Sequence, residues 1–308
     1  MSDSAVERLE RSLFMRTLFG SQSGPSVEQV VALMSDVYFD AGQTVYRKGE
    51  ASREIYFIVK GQVVLEAEGL APWTFGARDG IGFQDAMQDS AHTRTARALS
   101  AVHALAFSVE DWFDVLEGNP ELGRGAVMGH ARAVSRMIDE LGFDAAFAPP
   151  GPGEPADLGR PPGLVDRMLM LTDAPLLARA GIQAVAVLAR LGRPRLIRQG
   201  GLLHKQGEAR TSLCLVGQGE LQLAREGEPA VGRFGPGSVA GSLGMLARPR
   251  HDATLSAATD AVVLELDDDD FFEAMDDHFD LARAVFAYMA KERGRLMELI
   301  ARRRALSS

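Results

Sequence analysis

Four groups of residues in this sequence carry side chains that could do chemistry. The run Asp267-Asp268-Asp269-Asp270 has the carboxylates of a metal site. It stands directly before Phe271-Phe272, where a helix would start. Asp267 therefore reads as an N-cap, and the other three as acids set against the positive end of the helix dipole. Cys214 could be a thiolate nucleophile, but it lies in the apolar run Ser212 to Val216 and reads as a buried small hydrophobe. Arg302, Arg303 and Arg304 could meet a polyanion. At the end of a helix they also complement its negative pole. His92 and His251 remain. An imidazole protonated below about pH 6.5 can hold an anion, whereas a neutral ring can simply pack. The sequence has no G-x-S-x-G elbow, P-loop, H-E-x-x-H or paired-cysteine motif, and its six histidines lack ligand spacing. The expectation is no catalytic residue, no metal and no cofactor.

The two histidines belong to an internal repeat. Gly42, Gly49, Glu50 and Gly61 recur 158 residues later as Gly200, Gly207, Glu208 and Gly219. At an offset of 159, Gly82 recurs as Gly241, His92 as His251, Ala98 as Ala257, and Trp112-Phe113 as Phe271-Phe272. A constant offset over some seventy residues means a duplicated domain.

Between the copies, residues 145–163 hold six prolines and four glycines. Proline removes backbone donors and glycine adds entropy to the unfolded chain, so an extended spacer is expected there. The predicted division is a first domain over 1–144, a linker over 145–163 and a second domain over 164–308.

Each copy repeats one order of elements. In the first, Ser26 and Gln29 form a capping box ahead of the stripe Val27, Val30, Val31, Met34. Short strands follow, broken by glycine: Ile55 to Val59, Lys60-Gly61, Gln62 to Leu65, echoed by Leu213 to Val216, Gly217 to Gly219 and Glu220 to Ala224. Many short strands at close spacing predict a small barrel or sandwich. A closing helix ends each copy. Val127, Ala131, Val134, Ile138 and Leu141 form a heptad seam, and Leu281, Val285, Met289, Leu296 and Ile300 nearly repeat it. These stripes either pack on their own barrels or make a homodimer through helices 126–141 or 281–300.

The order Gly42-x6-Gly49-Glu50, an aliphatic-aromatic run and Gly61 resembles the opening of cyclic-nucleotide-binding domains, the type found in catabolite activator protein and protein kinase A regulatory subunits. The family's phosphate-binding cassette, Phe-Gly-Glu followed by Arg-x-Ala-Thr-Val-x-Ala, has its skeleton here twice. The first reads Ile81-Gly82-Phe83 and His92 to Ala98; the second Ala240-Gly241-Ser242 and His251 to Ala257. The resemblance covers about residues 10–143 and 165–301. It implies a mainly β protein with flanking helices, built as two tandem β-roll (double-stranded β-helix, jelly-roll-like) domains.

In that family the glycine-led turn offers backbone N–H groups to a phosphate, the glutamate accepts from the ribose 2′-hydroxyl, and the arginine forks onto the cyclic phosphate. This sequence has Phe83 and Ser242 at the glutamate position, and His92 and His251 at the arginine position. Hydrogen bonds to charged groups are worth about 1.5–3 kcal/mol each, so two losses weaken such binding by about two to four decades. A register shifted by two places instead puts Arg94 on the arginine position and Asp85 on the glutamate position. The second copy keeps more donors, from Gly241, Ser242, His251 and Thr254, and is the better candidate for a ligand.

A net charge of −9 and a pI near 5.3 argue against a general nucleic-acid binder. No stretch of about eighteen apolar residues occurs, and Met1 to Glu10 is polar. The expected compartment is the cytoplasm, without membrane or nucleic-acid partners. After the second closing helix only about a dozen residues remain, too few for a helix-turn-helix. The function expected is therefore a non-enzymatic regulatory or scaffold protein with an unidentified protein partner, not binding cAMP or cGMP tightly. The rival is a small-molecule sensor taking a nucleotide or cyclic dinucleotide in the second domain.

Overall fold

The computed structural model describes residues 30–147, 154–227, 230–240 and 243–307. Ser26, Val27 and Gln29 of the expected capping box lie outside the described residues, as do Gly241 and Ser242. Val30, Val31 and Met34 are buried, as their spacing predicts. The described residues gather into two compact units. Unit 1 holds the chain through Gly129 together with the segment from Ala290; unit 2 holds His130–Met289.

The repeat in sequence becomes a repeat of strands. Unit 1 contains β1 (Ser35–Phe39), β2 (Thr44–Tyr46), β3 (Glu54–Lys60), β4 (Val63–Glu66), β5 (Trp73–Phe75), β6 (Gly80–Ile81), β7 (Thr95–Ala98) and β8 (Val102–Ser108). They form two antiparallel sheets, ordered β1-β8-β3-β6 and β2-β7-β4-β5. Unit 2 contains β9 (Arg193–Ile197), β10 (Leu202–His204), β11 (Ser212–Gln218), β12 (Leu221–Ala224), β13 (Ala230–Phe234), β14 (Thr254–Ala257) and β15 (Ala261–Asp267). Its sheets run β11-β15-β9 and β10-β14-β12-β13.

Even the irregularities repeat. The β3–β8 ladder slips between Ile58 and Lys60, and the β11–β15 ladder slips between Val216 and Gln218. The glycines that ended each of these strands in the sequence are required by geometry. Gly61 has φ +97° and Gly219 φ +73°, and a Cβ at either would meet a backbone carbonyl oxygen, Ala101 O or Asp260 O.

The helices are α1 (Phe83–Met87), α2 (Val109–Glu117), α3 (Pro120–Leu141), α4 (Phe143–Ala146), α5 (Leu164–Thr172), α6 (Ile182–Leu191), α7 (Asp268–Asp277) and α8 (Phe279–Ser307). The acidic run does what its position at a helix start predicts. Asp267 Oδ1 accepts from the Asp269 amide at 3.0 Å and caps α7. Asp268 pairs with Arg210, whose Nη1 lies 2.9 Å from Oδ1 and whose Nη2 lies 2.5 Å from Oδ2. Cys214 is buried, and burial pushes its thiol up to about 12.

Two expectations change on folding. The stretch expected as a spacer does not begin extended: Ala145 and Ala146 belong to α4. Phe143 and Phe147, four residues apart, give that turn an apolar face. Phe147 packs edge-on against Phe234 of β13, and the Arg225 guanidinium lies 4.1 Å from the Phe143 ring centroid. Farther along, the Ala156 amide donates to Asp260 O at 2.8 Å, a bond within unit 2.

The closing helices differ too. Every stripe residue of both helices is buried within this one chain, so neither stripe offers an apolar seam to a second copy. Nor does each helix stay with its own repeat. Helix α3 passes into unit 2 at His130, and α8 passes into unit 1 at Ala290. There Met297 and Ala301 pack against the unit 1 core of Ile58, Val63, Leu65, Trp73 and Ile81.

Candidate functional site

The first cassette is built by β6, the left-handed Gly82, helix α1 and the loop into β7. Gly82 has φ +80°, and a Cβ there would lie 2.7 Å from Glu54 O, so only glycine makes this turn without strain. Phe83 is held by packing. It is 6% exposed and packs edge-on against Trp112 of α2, at 6.2 Å between centroids. Asp85 serves the cassette itself: its carboxylate accepts from the Thr93 amide at 3.1 Å and the Thr93 hydroxyl at 2.8 Å.

His92 is consumed by packing. Its ring lies flat on Tyr46, with centroids 3.6 Å apart, and Nδ1 faces Ser52 Oγ at 3.3 Å and Asp85 Oδ2 at 3.5 Å. Desolvation, then the nearby Asp85 charge, holds the Tyr46 phenol neutral well above its ordinary range. The equivalent pair in unit 2 is His204 and His251, stacked at 3.4 Å. Burial, reinforced by His251, lowers His204 to about 3. Burial and Arg210 lower His251 as well. The backbone around both histidines is the same. His92 exchanges amide bonds with Glu50 and Gly49, as His251 does with Glu208 and Gly207, at 2.8–2.9 Å. The fold thus places His92 and His251 at equivalent positions.

It is Arg94, two residues on, that enters the first barrel. The residue is 2% exposed. Its guanidinium sits 3.9 Å from the Trp73 ring centroid and donates to Ala71 O at 2.8 Å and Leu65 O at 3.3 Å. Its Nη2 also pairs with Glu298 of α8. Every strong interaction of the arginine is internal to unit 1. The cavity left beside it measures about 20 Å³ and is lined by Tyr46, Leu65, Trp73, Arg94 and Met297 among others. A water's share of liquid volume is about 30 Å³, and ligand pockets run to about 300–1,000 Å³. The first barrel is closed by its own side chains.

Unit 2 lacks that plug. The residue 159 after Arg94 is Ala253, which is 1% exposed. Thr254 Oγ1 accepts from the Gln206 amide at 3.1 Å, matching Thr95 and Lys48 in unit 1, so this hydroxyl holds a strand turn. The second cassette is gripped by two arginines. Arg210 donates to the Leu246 and Arg248 carbonyls besides its Asp268 pair. Arg248 donates to Ser135 Oγ at 2.8 Å and Asp139 at 2.7 Å on α3, and pairs with Asp252.

The structure therefore gathers Gly82, Phe83, His92 and Arg94 around one cassette, but points Phe83 and His92 into packing. His251 and Thr254 share the second. Sequence reasoning missed Tyr46 and His204, which sit 158 apart and so carried a signal in the repeat. It also missed Trp73, Glu298, Arg210 and Arg248. The break in the repeat between Arg94 and Ala253 was a signal for the plug, while Glu298 had none.

Two units of antiparallel strands closed by helices, the first with a glycine-led turn at Gly82, define a tandem pair of β-rolls. The family model described as cyclic nucleotide-binding domain matches residues 36–119 and 194–278, more than half of the chain, and the chain belongs to that family as a tandem pair. A cyclic nucleotide-gated potassium channel of Rhizobium etli is 26% identical over 97 residues, 32% of this chain. The chain spans only 27% of that channel's length. Among solved structures, the regulatory domain of Toxoplasma gondii PKA with cAMP is 13% identical, at a TM-score of 0.35, covering 95% of this chain and 98% of that one. The regulatory subunit of a cAMP-independent protein kinase A from Trypanosoma brucei is 18% identical, at a TM-score of 0.34, covering 91% and 90%. No helix among the described residues is long and apolar enough to cross a membrane.

Proposed function

We propose that this chain is a non-enzymatic regulatory or scaffold protein that acts through a protein partner in the cytoplasm and does not hold cAMP or cGMP tightly. One observation carries the reading. The Arg94 guanidinium, enclosed by Trp73, two carbonyls and Glu298, leaves about 20 Å³ where a cyclic nucleotide would need more than ten times that volume. His92, at the position of the family's phosphate-binding arginine, is stacked on Tyr46. Titration calorimetry of the full chain with cAMP and with cGMP tests the proposal. The expected result is no binding at micromolar concentrations; a micromolar dissociation constant sinks it.

The second barrel supports a rival reading, a sensor for a nucleotide or cyclic dinucleotide, because Ala253 leaves it without the plug. His251 and Thr254, with Gly241 and Ser242, would be its donors. A thermal-shift panel of nucleotides and cyclic dinucleotides separates the two. A ligand at 100 times its dissociation constant stabilises by about 2.7 kcal/mol, whereas the scaffold reading expects a flat panel.

A further inference from the structure

Unit 2 carries a cleft of about 460 Å³ outside its barrel, lined by residues that neither cassette uses. One wall is the end of the proline-rich stretch, with Asp157, Arg160 and Pro162. Another wall is β11 and the turn after β13, with Gly217, Gln218 and Gly237. Helix α5, with Asp166, Leu169 and Met170, and its C-cap Asp173 line the cleft as well. Met170 packs on Gly217, where a Cβ would collide with its sulfur, so wall and helix fit closely.

The charges are uneven. Asp166 is held at home: it pairs with Arg160 at 3.5 Å and accepts from the Gly163 amide at 2.8 Å. Asp157 accepts only the Gly159 amide, at 2.9 Å, and no ion pair is formed by Asp157 or Asp173 among the described residues. Three carboxylates against one arginine leave the cleft short of about two positive charges. Beside it, Leu169 is 60% exposed and Val165, one helical turn earlier, is 69% exposed. Two large apolar side chains at i, i+4 facing water next to an acidic cleft form a small mixed surface.

We propose that this cleft docks a segment of a partner protein in which arginine or lysine is flanked by aliphatic side chains. The cation meets Asp157 and Asp173, and the aliphatic groups cover Val165 and Leu169. Charge complementarity selects this occupant: an acidic or phosphorylated segment would face repulsion from both carboxylates. The proposal rests on the partner-binding reading above but not on the state of either barrel.

The test uses the full chain and a fluorescein-labelled dodecapeptide alternating arginine and leucine, followed by anisotropy. A glutamate-for-arginine version of the peptide is the first control. The variant Asp157→Asn/Asp173→Asn is expected to weaken binding about tenfold, two surface pairs each being worth up to about 1 kcal/mol. Leu169→Gln is expected to weaken it several-fold while leaving the thermal midpoint unchanged. Glu117→Gln/Glu121→Gln, which removes two exposed carboxylates of unit 1, should leave it unchanged. Equal losses in the cleft and control variants would mean diffuse attraction to an acidic protein and would overturn the proposal. So would binding of the glutamate peptide, or a self-association that the cleft variants abolish, since the occupant would then be a second copy. If the nucleotide panel stabilises unit 2 but the cleft variants still lose the peptide, the scaffold reading fails and the cleft stands.

Discussion

Arg94 and Glu298 form a pair whose two halves are unequally buried, 2% and 23% exposed in the side chain. Taking away one member of a buried pair strands the other, which typically costs about 3–5 kcal/mol. Glu298→Ala should therefore lower unfolding free energy by about 3 kcal/mol in urea titrations. The double variant Arg94→Leu/Glu298→Leu should recover most of the loss, because both charges are gone and the Trp73 pocket stays filled. Simple additivity of the two single changes would show that the pair is not coupled. At Gly61 the constraint is backbone: a positive φ and a carbonyl in the path of any Cβ. Gly61→Ala should cost about 2–4 kcal/mol by the same measurement, and Gly42→Ala less, since nothing lies within 4 Å of a Cβ there.

His204 belongs at this scale as well. Its folded pKa is about 3 against 6.5 in the free side chain, with burial the main cause. The unfolded chain takes up this proton as pH falls through 6.5, while the folded chain waits until near 3. Stability is thus fully present above 6.5 and declines across that window by up to about 1.4 kcal/mol per pH unit. His204→Phe, which can still stack on His251, should flatten the pH dependence of unfolding between 6 and 4. An unchanged slope would mean that other groups set it.

At the scale of elements, local pattern and packing part company. Helix α4 is one turn long and could not persist alone. It exists because Phe143 and Phe147 reach Arg225 and Phe234. Phe147→Ala removes a side chain only 6% exposed and should cost about 3–5 kcal/mol, read from the thermal midpoint. The end of α8 is a similar case. A chain ending at Arg293 loses Met297, Glu298 and Ala301 together, uncovering the unit 1 core and orphaning Arg94. It should melt earlier and bind a hydrophobic dye that the full chain excludes.

For the whole molecule, the compact units do not coincide with halves of the chain. Residues from Ala290 complete unit 1, and residues from His130 complete unit 2. A protein cut in the linker therefore yields fragments that each carry a helix end whose unit is missing. Fragments 1–144 and 164–308 should each unfold at a lower temperature than the intact chain, and co-expression should restore part of the difference. Fragments that melt independently at the midpoint of the full chain would show that the exchanged segments contribute nothing.

The sequence alone determined the duplication, the order of elements along each copy and the glycine breaks between strands. Those features repeat at fixed offsets and depend on local chemistry: alternation of apolar residues, and glycine where φ is positive. Through the family resemblance it also raised the expectation that Phe83, Ser242, His92 and His251 stand where the family has its two gripping side chains, with Arg94 and Asp85 as the alternative register. What it could not show was that Arg94 fills the first barrel, or that Glu298, more than two hundred residues away, holds it there. Nor could it show that the closing stripes are buried in this chain and not against a copy of it. A heptad pattern states that a face must be covered and is silent about what covers it. A buried charge likewise states only that it needs a partner. Those identities come from contacts distant in sequence, which only the packed chain defines.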